Sequence, residues 1–76
     1  MSPKLPVVRA TEVVRVAERL GFVFDRQRGS HAVYRRPTDG ARVVIPMHAG
    51  KDVKPKTLAG ILDILGISPD EFRSLL

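Results

Sequence analysis

The spacing of apolar residues changes twice along this chain, from a helical period to a period of two and back again, and that order allows only a small mixed architecture. Val13, Val16, Ala17 and Leu20 stand at i, i+3, i+4 and i+7, which places one apolar stripe on a helix. Thr11 is suited to cap that helix and Gly21 to stop it, so the spacing predicts a helix over residues 12–20, with Glu12, Arg15, Glu18 and Arg19 turned to water. From residue 22 the period becomes two, with Phe22 and Phe24 on one side and Val23 and Asp25 on the other, and a first strand is expected over residues 22–28. Gly29-Ser30 is a turn signal and residues 31–36 a second strand. Pro37-Thr38-Asp39-Gly40 is a second turn, and residues 41–46 form a third strand rich in β-branched side chains. The segment reads as an antiparallel meander.

Pairing Arg36 with Ala41 across the second turn puts Ala32, Tyr34, Ala41, Val43 and Ile45 on one face, the core face. His31, Val33, Arg35, Arg42, Val44 and Pro46 then share the other. A slip of one residue would reverse both assignments. After a Gly- and Lys-containing loop over residues 47–54, Leu58, Ile61, Leu62 and Leu65 repeat the helical stripe, and Gly66 stops it. Ser68-Pro69-Asp70-Glu71 has the form of a capping box with proline at the first helical position, and Ile67 and Phe72 occupy the staple positions of a short last helix. The expected fold is α+β: an α-β-β-β-α order with a three-stranded antiparallel sheet, two helices on one of its faces and a short C-terminal helix. Residues 1–9 read as an N-terminal extension free to move, and residues 10–76 as one domain.

Composition bounds what such a domain does. A chain of 76 residues has little room for a large internal cavity. With no cysteine there is no disulfide framework, thiolate metal site or cysteine nucleophile, which suits a reducing cytoplasm. No apolar run is long enough for a signal peptide or a membrane span, so no membrane association is expected. The net charge of +5 is unevenly spread: residues 22–57 hold eight basic and three acidic side chains, while the flanks hold five of each and cancel. A basic middle segment is the electrostatic footprint of a phosphate-backbone partner, although a solvated, solubilising surface has the same composition.

Cleaving RNA without a metal takes a group that exchanges a proton near pH 7, set among cations, and histidine has the suitable pKa. His31 and His48 are the two histidines. His31 follows Gly29-Ser30 at a strand start, beside Arg28 and, by alternation, on the face of Arg35. Gly29 leaves room for a phosphate and Ser30 offers a hydroxyl donor. A histidine in that position is more often an ordinary surface or capping residue. His48 leaves the third strand where the second begins, so the two histidines are expected near one another, either as an acid/base pair or with His48 in a structural or substrate-contacting role. Lys51, Lys54 and Lys56 surround the start of the second helix, where they oppose the helix dipole. Such a cluster is better suited to a phosphate than to helix stability. With Arg28, Arg35 and Arg42 they make up the candidate RNA-binding set. The aspartates are scattered, without DxD or ExxE grouping, and two histidines do not make a zinc site, so neither a metal nor another cofactor is expected.

Gly21-Phe22, Arg28-Gly29-Ser30-His31, Tyr34, Val44-Ile45-Pro46-Met47-His48, Gly50-Lys51, Lys54, Thr57-Leu58 and Ile61-Leu62, in this order and spacing, resemble the HicA toxin family. The resemblance runs from the first helix to Phe72. It implies a fold similar to the double-stranded-RNA-binding domain, an endoribonuclease activity on mRNA, and a partner antitoxin, HicB, expected to mask His31. It also implies that His31 is catalytic, with Gly29 and Ser30 completing its motif and His48 matching the family's Pro-x-His element. A non-catalytic RNA-binding module of the double-stranded-RNA-binding type is the alternative, and His31 distinguishes the two.

Overall fold

The computed structural model describes residues 5–76. Its elements run α1 (Ala10–Arg19), β1 (Val23–Arg28), β2 (His31–Arg35), β3 (Arg42–Pro46), α2 (Pro55–Leu65) and α3 (Pro69–Leu75). The sheet is antiparallel in the order β1-β2-β3. This is the α+β arrangement that the periods predicted.

α1 starts two residues before the expected point. Arg9, not Thr11, is the capping residue: its N–H donates to the Glu12 carboxylate at 2.9 Å, and its carbonyl accepts from the N–H groups of Glu12 and Val13. Ala10, Val13, Val16 and Ala17 form the buried stripe. At the other end Gly21 takes φ +91°, the left-handed conformation that ends helices. α2 begins at Pro55 behind an extended Lys54 and is closed by Gly66 at φ +73°. α3 is too short to persist alone. Ser68 Oγ accepts from Glu71 N–H while the Glu71 carboxylate accepts from Ser68 N–H, and Phe72 is fully buried beneath the helix.

β2 and β3 pair in the expected register, His31 opposite Pro46 through Arg35 opposite Arg42. The Arg36 N–H donates to the Ala41 carbonyl at 2.8 Å just beyond. Ala32, Tyr34, Val43 and Ile45 are consequently buried under the helices with Leu58, Ile61, Leu62 and Leu65, while the opposite face is open.

β1 departs from simple alternation. Phe22 is buried ahead of the strand, but every residue of β1 itself is exposed, because the helices cover β2 and β3 and leave the edge strand overhanging. Phe24 lies opposite Tyr34 and meets its ring edge-on with centroids 5.7 Å apart, yet keeps 56% of its surface exposed. The pairing then slips: Phe24 faces Tyr34 and Arg26 faces Val33, so Asp25 is an extra residue, a β-bulge. Regular alternation from Phe24 would turn Arg26 and Arg28 toward the helices. The bulge moves both to the open face.

Of the N-terminal extension, residues 1–4 lie outside the described residues. Val8 is 2% exposed and its carbonyl accepts from Val53 N–H at 2.8 Å, while Arg9 forms a β-bridge with Asp52. Among the described residues, no helix is long and apolar enough to cross a membrane.

Candidate functional site

His31 opens β2 immediately after a two-residue turn in which Gly29 adopts φ +58°. Its neighbours across the sheet are Arg28 on β1 and Pro46 on β3. The chain leaving β3 is held beside this turn by a hydrogen bond from Met47 N–H to the Ser30 carbonyl, 2.6 Å. His48 follows in a tight bend in which Lys51 N–H donates to the His48 carbonyl and Gly50 takes φ +74°. Asp52 is then anchored to Arg9, Nε to Oδ1 2.9 Å, before Lys54 leads into α2. The outcome is a cleft of about 350 Å³ lined by His31, His48, Lys51, Asp52, Lys54 and Thr57, with Pro46 and Val53 completing its wall.

Both histidines are thus brought to one cleft at the start of α2, by the antiparallel pairing of β2 and β3 together with the contacts that hold the loop after β3. Both are exposed. A second hollow, also about 350 Å³, lies on the open face of the sheet between Arg26, Arg28, His31, Val33 and Val44. His31 borders both spaces.

The other expected site residues are less close. Gly29 and Ser30 shape the turn without lining either space. Arg35 and Arg42 share the face of His31, but Arg35 sits four residues along β2, roughly 13 Å away at ~3.3 Å per residue, and Arg42 lies opposite Arg35 on β3. Lys56 is exposed in the first turn of α2, outside the cleft wall. Arg26, Asp52 and Thr57, which line these spaces, were not among the expected site residues. Asp52 reaches the cleft through a pairing with a residue 43 positions away, which no local pattern reveals.

Ion pairing separates structural cations from available ones. Among the described residues the ion pairs are Arg9–Asp52, Arg36–Asp39 and Arg73–Asp70. Arg26, Arg28, Arg35, Arg42, Lys51, Lys54 and Lys56 take part in none of them. Arg36 instead stacks over Phe22, 4.8 Å from the ring centroid, and grips Asp39 through two hydrogen bonds, which hold that carboxyl down at about 2. Burial, and then the charge of Glu18, push the Tyr34 phenol above its ordinary value, so it remains neutral and is no candidate for proton transfer at pH 7. No three His, Asp or Glu side chains come together as metal ligands would among the described residues.

The arrangement offers two imidazoles for proton exchange, ammonium groups for a phosphate and a carboxylate at the rim. No curated protein matches the chain at a significant level. The profile of a family described as the HicA toxin of bacterial toxin–antitoxin systems matches residues 10–67. That span covers α1, the whole sheet, both spaces bordered by His31 and α2, and the chain belongs to the HicA toxin family.

Proposed function

We propose that this toxin acts as a metal-independent endoribonuclease on mRNA, with His31 as the general acid/base. The observation that carries the reading is the shared cleft: exposed His31 at the start of β2 lines it together with His48, Lys51 and Lys54 of the segment that leads into α2. A phosphodiester seated against Lys51 and Lys54 would present its ribose 2′-hydroxyl to a neutral imidazole. The imidazole takes the 2′-hydroxyl proton, the 2′-oxygen bonds to phosphorus, and the P–O5′ bond breaks as the leaving oxygen receives a proton. The ammonium groups offset the charge that develops on the phosphorane oxygens. His48 is suited to serve as the second proton carrier or to hold the substrate, and Gly29 and Ser30 keep the turn before His31 in shape. No step calls on a metal or another cofactor.

The products follow from this chemistry. Cleavage in EDTA should continue and leave a 2′,3′-cyclic phosphate or its hydrolysis product, as read by end-group analysis of a labelled RNA. A 5′-phosphate product, or complete loss of cleavage on chelation, contradicts the mechanism. The toxin's counterpart is read as a HicB-like antitoxin that covers His31, its acidic side chains occupying the phosphate positions of the free cations.

A further inference from the structure

We infer that the hollow between Arg26, Arg28, Val33 and Val44 is a second binding subsite, for the single-stranded RNA that continues from His31 on the side away from the α2 lysines. The inference rests on the nuclease reading and extends it to the path of the substrate. Two spaces meet at His31, one walled by Lys51 and Lys54, the other by Arg26 and Arg28. A phosphodiester held at their junction has its chain leaving in both directions, each over unpaired cations, which suits an internal bond rather than a chain end.

The hollow is built for this by the Asp25 bulge. Regular pairing would turn Arg26 and Arg28 toward the helices, and the extra residue puts them on the face of His31. Their guanidinium groups are absent from the ion pairs of the described residues, and Val44 on the far strand keeps 48% of its surface exposed. Cations beside an exposed valine floor fit a strand whose phosphates and base faces are both accessible. In a duplex the base faces are stacked on one another and cannot be laid on that floor. The open face is also only three strands wide, roughly 10 Å between the outer two at ~4.8 Å spacing, which suits one strand.

The test uses the full chain and fully 2′-O-methylated oligonucleotides, which cannot be cleaved through the 2′-oxygen, in lengths from ~2 to ~8 nucleotides. Wild-type affinity should rise with length beyond what the lysine cleft accommodates. The doubly substituted Arg26→Ala, Arg28→Ala protein should lose about tenfold on the longest oligonucleotides and little on the shortest, with a salt slope flatter by about 1.4 for two lost phosphate contacts. Val44→Glu, an exposed change on β3, should reproduce that length dependence without touching β1. A Lys51→Ala, Lys54→Ala protein should instead lose affinity at every length. Equal losses at all lengths for the arginine variant, no loss on the longest, or tighter binding to a duplex of the same sequence would overturn the subsite. Failure here, in a protein that still cuts RNA through His31, leaves the nuclease reading intact; binding of this pattern by a protein that cuts no RNA would sustain the track and refute the nuclease.

Discussion

At the scale of single residues, Gly29 has a role its position in the sequence only hinted at. A Cβ at Gly29 would meet nothing within 4 Å, so space within the protein does not demand glycine there; its φ of +58° does. Gly29→Ala should therefore destabilise the fold by about 1 kcal/mol, the left-handed penalty partly offset by the stiffer unfolded chain. Urea unfolding measures this directly, and an unchanged or higher midpoint would show that the turn relaxes freely. The place of His31, at a strand start behind a turn and beside Arg28, was legible from local signals, whereas its assignment as the acid/base came from the resemblance to the HicA family. The place of Arg26 was not legible. Its direction depends on the Asp25 bulge, and a bulge has no residue signature in this strand: alternation read from Phe24 assigns Arg26 to the wrong face.

Among the elements, the helices and the β2–β3 hairpin were readable in advance and β1 was only partly so. Glycine stops, the Ser68 capping box and the Pro37 to Gly40 turn are local chemistry, and local chemistry survives folding. The cover of a sheet by helices is not local, and the overhang of β1 follows from where α1 and α2 rest. The same limit applies to the loop bearing His48, pinned by Arg9 and Val8 from the other end of the chain. The β2–β3 turn carries its own lock. Asp39 accepts from Arg36 and from the Ala41 N–H, and its carboxyl is held at about 2, below the ordinary 3.8. A carboxyl with a depressed folded pKa adds stability that is complete above its unfolded pKa and vanishes as pH falls through the folded one. Wild type should exceed Asp39→Asn in stability above about pH 4, with the gap closing as pH falls toward about 2. Added salt should narrow it, since the pair is half-exposed. A gap that persists unchanged to pH 2 in urea titrations would mean the carboxylate's charge is not what holds the turn.

For the whole molecule, the division of labour runs between two sides of one sheet. The side under α1 and α2 holds the core, and the open side holds His31 and four arginines that take part in no ion pair among the described residues. The family match gives this chain a toxin–antitoxin context, and the masking proposed above would set the antitoxin on the open side and the adjoining lysine cleft. Hydrogen exchange on the co-purified pair should therefore protect β2, β3 and the loop over residues 47–54. Protection confined to the polar face of α1, with His31 and Arg35 left open, would refute masking. The basic stripe, its centre and the likeness to the HicA family were all visible in the sequence. The meeting of two spaces at His31 was not, because it takes the bulge on one side and the Arg9–Asp52 tether on the other. The proposed nuclease activity turns on one side chain and one assay: RNA incubated in EDTA with wild type and with His31→Ala, whose folding is verified by circular dichroism and thermal melting. Replacement of an exposed strand residue should leave the melt nearly unchanged while cleavage falls by at least about a hundredfold, the usual share of a general acid/base. A folded His31→Ala protein that cleaves at the wild-type rate would contradict the account.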